Sequence, residues 1–459
     1  MTRRWFGTDG VRAPFGTPPL DRATVTSIAA ALGRTLAEDG NGAAPEVVLG
    51  GDTRGSTPEI CRWVAAGLAT AGVRAHHLGT VPTPAVAFLT PHLGAAAGVA
   101  VSASHNPLPD NGVKLLDAGG GKWSEAAEAA LEARMEPSPA AEGELPEIAA
   151  DASAVETYVE HLVASTPGGD AGAVDGAPLA GLSIALDAAN GAASPFARPL
   201  FERLGARVEA ICDAPDGSNI NAGCGSTHPE RLQAAVTDGG HHLGFAFDGD
   251  ADRALLVDET GALRDGDAML YLWARWLARE GRLPGEAIVA TSMSNLGLER
   301  ALAADGIGVV RCGVGDREVV ETLRRRGLVL GGEQSGHLVD LDLATTGDGL
   351  LTALQLAGRF ARERRAGQTV SELLAGFRRF PQVLTNVRVA AKPVLTELPA
   401  VADAARRVEQ RLGADGRLVL RYSGTEPLAR VMIEGPEQEV VERLAAELAA
   451  AIDQEIGAR

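Results

Sequence analysis

Three times along this chain a short apolar run ends in a polar or glycine-bearing turn, enters a helix-like stretch, and returns through a glycine to a second apolar run. The first copy is VVLGGDTRGS, PEICRWVAAGLATA and GVRAHHLG. The second is LSIALDAANGAA, SPFARPLFERL and GARVEAICDAP. The third is AIVATSMSNLG, LERALAAD and GIGVVRCGVG. Continuous apolar runs separated by amphipathic stretches, with glycine at the helix exit, read as β-α-β units. Such strands are buried on both faces, so each copy demands a parallel or mixed sheet covered by helices. Three copies imply three similar α/β domains.

The chain beyond residue 370 breaks this pattern. FRRFPQVLTNVRV reads as a linker and strand, LPAVADAARRVEQRLG as a helix, LVLRYS and ARVMIEG as strands, and EQEVVERLAAELAAAIDQEIG as a closing helix. That is an α+β module. A length of 459 residues exceeds what one core organises, at about 100–200 residues per domain. The expected division is therefore 1–155, 156–257, 258–370 and 371–459. MEPSPAAEGELP and STPGGDAGAVDGAP read as loops.

An apolar content of 45% argues against disorder. The net charge of −18 argues against a nucleic-acid partner, which would need a basic surface, but leaves room for a small anion in a local basic pocket. Cys61, Cys212, Cys224 and Cys312 are scattered and form no C-x-x-C, so reduced, buried thiols are expected. No apolar run reaches the roughly 20 residues of a membrane span, and no apolar stretch follows the two arginines of MTRRWFGTDG. A cytoplasmic protein with no membrane partner is expected.

The sharpest chemical signal is LGFAFDGDADRALLVDE. On a straight strand Asp248 and Asp252 would lie about 13 Å apart at about 3.3 Å per residue, too far to share a cation. Gly249 and Ala251 permit the segment to curl. Three carboxylates packed together repel one another unless a cation sits among them, and an all-oxygen set suits Mg²⁺. An EF-hand loop fits less well: Glu259 falls at its twelfth position, but Arg253 stands at the sixth, where glycine is required.

In LVLRYSGTEPLARVMIEG, Arg421 and Arg430 bracket Ser423, Gly424 and Thr425 in a turn between two strands. Hydroxyls, backbone N–H groups and two guanidiniums are what a phosphate dianion requires. In VLGGEQSGHLVD, an extended backbone would put Glu333, Ser335 and His337 on one side, suited to sugar hydroxyls. RWFGTDGVR makes a turn that delivers Arg12. VSASHNPLPDNGVKL gathers Ser104, His105 and Lys114. Neither a P-loop nor a G-x-G-x-x-G motif is present.

Together these motifs resemble the α-D-phosphohexomutase family, over essentially the whole chain and in the family's order. SASHNPLPDNGVK, GVGDREVVE, and GGEQSGH followed by TTGDGLLTALQ are similar to the branch that acts on amino sugars. The usual family members for glucose or mannose phosphates carry another residue where Gln334 stands. The resemblance implies three α/β domains and a C-terminal phosphate-binding domain around a central cleft. It implies a phosphoserine at Ser104, one Mg²⁺ per chain on Ser104, Asp248, Asp250 and Asp252, and a bisphosphorylated sugar intermediate. The implied reaction interconverts glucosamine 6-phosphate and glucosamine 1-phosphate for UDP-N-acetylglucosamine synthesis, with glucosamine or glucose 1,6-bisphosphate as activator. His105, Lys114 and Arg12 match residues the family places near the serine. A base role for Lys114 would need a pKa lowered by neighbouring cations. Arg253, Glu333, Ser335 and His337 match the sugar site, and Arg421, Ser423, Gly424, Thr425 and Arg430 the distal phosphate clamp. A homodimer is also implied. The same chemistry on glucose or mannose phosphates, a Mg-dependent phosphohydrolase, and a non-catalytic binder are the alternatives. Ala13-Pro14 departs from the glycine that usually follows GTDGVR.

Overall fold

The structure is a computed structural model that describes residues 5–7, 9–39, 44–168, 177–423 and 427–458. Most of STPGGDAGAVDGAP lies outside the described residues. The chain forms two compact units, one of residues 1–293 and 309–374, the other of 294–308 and 375–459.

The first unit carries three sheets built to one plan. In the first sheet, Glu46–Gly51 lies between Arg74–Thr80 and Ala97–Val101, parallel to both; Asp110–Leu116 then adds antiparallel, and Val11–Pro14 covers its edge. The second repeats this: Ser183–Asp187 lies parallel between Arg207–Ile211 and Leu243–Phe247, then Ala254–Asp258 and Leu263–Arg264 follow antiparallel. The third has the order Gly308–Cys312, Ala287–Thr291, Leu330–Gly332, Leu338–Asp340. All three β-α-β readings are present. AGVAV, SIALD and LGFAF are buried at every position, as strands covered on both faces must be.

Helices close the layers. Arg22–Asp39 packs on Thr57–Ala69, and Gly67 permits the close crossing, since a Cβ there would sit 2.6 Å from the Ala29 Cβ. Two helices the repeat did not announce, Ala152–Ser165 and Gly349–Arg365, also belong to this unit. The second is capped by Asp348, whose Oδ1 accepts the Leu351 N–H at 2.9 Å while Oδ2 accepts the Tyr158 hydroxyl at 2.8 Å. Its first turn presses on the aspartate loop: Gly349 N–H donates to the Ala251 carbonyl at 2.9 Å. Among the described residues no helix is long and apolar enough to cross a membrane.

In the second unit, Leu428–Glu434 lies between Gln382–Arg388 and Arg417–Tyr422, antiparallel to both. Pro399–Leu412 and Gln438–Ile456 bury Val401, Val408, Val441 and Leu448 against it. Helix Leu296–Ala304, the middle of the third repeat, is part of this unit. Asn295 ties it in, its Oδ1 accepting both Gly297 and Phe380 N–H.

Burial raises the Asp348 carboxyl to about 6, against the lowering by Leu351 N–H and the Tyr158 hydroxyl. The folded state therefore holds this proton more tightly than the unfolded chain, whose carboxyl has the ordinary value of 3.8. Asp348 stability is complete below pH 4 and is lost as pH rises to about 6, by about 3 kcal/mol in all. Urea denaturation of wild type minus Asp348→Asn should fall across that window and stay level above it.

Candidate active site

Each sheet sends its site residues from the same place, the loop after the strand that ends the parallel run. Ala97–Val101 leads to Ser104, Leu243–Phe247 to the aspartates, and Leu330–Gly332 to Glu333. Two of these loops turn on a residue in the left-handed region that is not glycine: Ser104 at φ 54° and Ala251 at φ 54°. Such conformations cost about 1–3 kcal/mol each and persist only where the surroundings impose them.

For Ser104 the surroundings are a buried network. Arg54, with no side-chain exposure, pairs with Asp52 at 3.0 Å and donates to the carbonyls of Ser104 (3.0 Å), Asn106 (2.8 Å) and Pro107 (2.8 Å). Asp52 also accepts the Ser102 hydroxyl at 2.6 Å, and Ser102 Oγ accepts the Ser104 N–H at 2.8 Å. Asn221 donates to the Ser104 carbonyl at 2.9 Å from the second sheet's side. The serine backbone is thus gripped while its hydroxyl is delivered to Asp248 Oδ2 at 2.5 Å, with His105 Nδ1 at 3.2 Å.

The aspartate segment curls as its spacing requires: carboxylate oxygens of Asp248, Asp250 and Asp252 lie within 4.8 Å of one another, all buried. Burial and the other two carboxylates push Asp248 well above the ordinary range. Burial acts in the same sense on Asp252, but Lys114, His337 and Arg253 outweigh it and hold that carboxyl well below. Asp250 Oδ2 accepts the Thr83 hydroxyl at 2.6 Å and the Lys114 ammonium at 2.8 Å. Asp250 Oδ1 and Asp252 Oδ1 are buried with no hydrogen-bond donor among the described residues. Two such oxygens beside a third carboxylate and a hydroxyl fit a hard cation.

Lys114 stands differently from expectation. Burial works to lower its pKa, but Asp250 at 2.8 Å, Asp9 at 3.1 Å and Asp252 at 3.6 Å raise it well above the ordinary value. These three carboxylates hold the proton on the Lys114 ammonium, against the lowering by burial and by Arg12. His105 moves the other way, its pKa lowered by burial and by Arg253 and Arg12.

A cavity of about 420 Å³ brings Arg12, His105, Arg253, Glu333 and His337 together with Asp252. Arg12 donates to Asn106 Oδ1 at 3.2 Å and pairs with Asp9. The GEQSGH segment is a turn and not extended: Gly336 N–H donates to the Glu333 carbonyl, and Glu333 N–H to that of His337. Glu333 and His337 both line the cavity, and Ser335 meets Glu333 at its exposed side. His337 is buried, its Nε2 accepting the Gly347 N–H at 3.0 Å, which leaves Nδ1–H facing Asp252 at 3.7 Å. Ser335 is exposed, its hydroxyl 3.4 Å from Glu333 Oε2. Gln334 donates to Asp267 at 3.4 Å.

In the second unit Arg421 and Arg430 are directly opposed across the antiparallel pair. Like charges so placed repel unless an anion lies between them. Ser423 is buried, Arg430 donates to its hydroxyl at 3.3 Å, and Lys392 to its carbonyl at 2.7 Å. Gly424 and Thr425 lie outside the described residues.

Sequence reasoning passed over Asp9, Lys122 and Asp316, which form a chain of ion pairs from Lys114 through Asp9 and Lys122 to Asp316. It also passed over Arg54, Thr83, Asn221 and Lys392. Asp9, Arg54 and Asp316 stood inside quoted segments; nothing local marked the others.

Models of the phosphoglucomutase/phosphomannomutase α/β/α domains I, II and III match residues 3–141, 156–261 and 265–380, and that of the C-terminal domain matches 384–451. The chain belongs to this family. A phosphoglucosamine mutase of Solibacter usitatus is 45% identical, covering 100% of both chains, and one of Rhodococcus erythropolis is 46% identical over 97% of this chain and 98% of its own. The structure is similar to that of a phosphoglucomutase/phosphomannomutase family protein from Burkholderia thailandensis, with a TM-score of 0.78 and 27% identity over 98% of this chain and 97% of that one. It shares its fold with the N-acetylphosphoglucosamine mutase of Aspergillus fumigatus solved with GlcNAc-6P and magnesium, with a TM-score of 0.63 and 19% identity over 99% and 96% of the two chains.

Removing the Arg54 guanidinium leaves the buried Asp52 carboxylate without its cation and takes one donor from each of three carbonyls. Arg54→Ala should lose about 3–5 kcal/mol in urea denaturation, the range for breaking a buried ion pair.

Proposed function

We propose that this chain is a phosphosugar mutase that interconverts glucosamine 6-phosphate and glucosamine 1-phosphate through a phosphorylated Ser104 and a bisphosphorylated sugar. The observation that carries the reading is the Ser104 hydroxyl, 2.5 Å from Asp248 in a buried nest whose two further aspartates each keep a donorless oxygen. The curated phosphoglucosamine mutases at about 45% identity over their full length supply the sugar. Ser104, Asp248, Asp250 and Asp252 would hold one Mg²⁺, which when bound neutralises charge on a transferring phosphoryl group.

The chain's own residues do the rest. Phosphoryl transfer is chiefly positioning and charge stabilisation. Arg54 and Asn221 fix the Ser104 backbone, so the phosphoryl group is presented without reorganisation. Arg253, Lys114 and His105 surround the position where its oxygens carry charge. Glu333 and Arg12 line the cavity where the sugar binds. Arg421 and Arg430 hold the phosphate that is not reacting. The sugar then exchanges ends and returns its other phosphate to Ser104. Glucosamine or glucose 1,6-bisphosphate primes the serine. The reading includes the four-domain division at residues 155, 257 and 370, a homodimer, and a cytoplasmic role in supplying UDP-N-acetylglucosamine.

With trace bisphosphate, the protein should convert glucosamine 6-phosphate to the 1-phosphate faster than it does glucose or mannose 6-phosphate, and without releasing inorganic phosphate. Ser104→Ala should lower turnover by about 10³-fold or more, since it removes the nucleophile. Preferred turnover of glucose or mannose phosphate would reassign the sugar, and released phosphate would make the protein a hydrolase.

Arg421→Ala should raise KM at least about tenfold while Ser104 still takes up a phosphate, seen as one phosphate of added intact mass. A wild-type KM would remove the clamp.

A further inference from the structure

Two of the four cysteines that look scattered in sequence meet in space. Cys212 follows strand Arg207–Ile211, and Cys224 precedes the short turn Gly225–Thr227. Their sulfurs and a carboxylate oxygen of Asp187 lie within 4.8 Å of one another. Strands Ser183–Asp187 and Arg207–Ile211 are paired, with Asp187 opposite Ile211, so the junction lies at their common end. Cys212 is half-buried and adopts a left-handed φ of 49°, while Cys224 is fully buried. Arg231 Nη1 stands 3.8 Å from the Cys212 sulfur, and Asn190 Nδ2 stands 3.9 Å from that of Cys224. Both oxygens of Asp187 already accept backbone N–H groups, from Ala189 and Gly225.

The segment between these cysteines braces the reactive loop. Gly217 accepts the Gly55 N–H at 2.8 Å, next to Arg54, and Asn221 donates to the Ser104 carbonyl at 2.9 Å. We propose that Cys212 and Cys224 form a reversible disulfide that closes segment 213–223 into a ring and fastens this brace against the serine loop. With a peroxide as two-electron oxidant, the Cys212 sulfur attacks the O–O bond, giving a sulfenic acid and one water. The Cys224 sulfur then displaces the hydroxyl, forming the S–S bond and a second water. The Arg231 guanidinium lies where it steadies the attacking thiolate. Burial and Asp187 raise both thiols above their ordinary range, Cys224 to about 12, so the dithiol persists until oxidant is sustained. A soft metal ion would compete for the same three groups, but the adjacent guanidinium disfavours a cation.

The test is peptide mapping of the full-length protein after prolonged hydrogen peroxide, with and without later dithiothreitol. The expected result is a crosslinked pair of peptides carrying Cys212 and Cys224, 2 Da lighter than the dithiol and reversed by reductant. Cys61 and Cys312 should stay out of it. Hydrogen exchange at the Gly55 amide should slow at least about threefold in the oxidised wild type and remain unchanged in peroxide-treated Cys212→Ser and Cys224→Ser. Free Cys224 beside a Cys212 oxidised to sulfinic acid would overturn the proposal. So would one zinc per chain, found by elemental analysis after zinc loading, that leaves with either serine substitution and shields both thiols. These readouts do not involve turnover, so they stand apart from the mutase reading.

Discussion

Three carboxylates buried within 4.8 Å of one another are the constraint to which the first unit answers. Left alone they would drive the loop open or take up protons. Lys114 supplies the first balance, reaching Asp250 and Asp252 from another sheet, and in turn needs Asp9. Asp9 draws in Arg12 and Lys122, and Lys122 reaches Asp316. The signs alternate along the whole chain of contacts. In a protein of net charge −18, Lys114, Arg12 and Lys122 are thus each held against these carboxylates.

The repeat explains how so few segments gather the site. Three sheets of the same order place the same loop at the same end of the same strand. The loops carry different chemistry: a hydroxyl, a carboxylate nest, and a turn holding Glu333 and His337. The strands that lead into these loops, AGVAV, LGFAF and LGG, are apolar throughout, so their polar residues enter only where they end. That is why the strands and the motifs were legible together. The runs AGVAV, SIALD and LGFAF define the fold, and the polar words after AGVAV, LGFAF and LGG define the site.

What local pattern could not show is which distant side chain answers each charge. Lys122 meets Asp9 across 113 positions and Lys114 meets Asp250 across 136. GGGKWS carries nothing to mark its lysine. Beside the cationic Arg12 expected near Lys114, folding also brings three carboxylates, Asp9, Asp250 and Asp252. GEQSGH alternates as a strand would, yet Gly336 at φ 91° folds it into a turn that leaves Ser335 exposed and His337 buried. A Cβ at Gly336 would overlap the Ala254 carbonyl oxygen, so the turn and the second sheet are fitted together. Cys212 and Cys224 look unrelated in sequence because their nearness depends on two strands pairing.

Ser104 shows how these contacts serve chemistry. Its carbonyl is held by two donors, Arg54 at 3.0 Å and Asn221 at 2.9 Å, and its N–H by Ser102 at 2.8 Å. Those three bonds stabilise a left-handed backbone that the residue would not adopt alone. None of them involves Oγ, which meets Asp248 and His105. Restraint is thus placed on backbone atoms, and the one atom that on the proposed reading would gain and lose a phosphoryl group keeps partners suited to charge. A nucleophile fixed through its backbone can be loaded and unloaded without moving the network behind it. That division makes the buried Asp52–Arg54 pair part of the site although neither residue reaches the cavity.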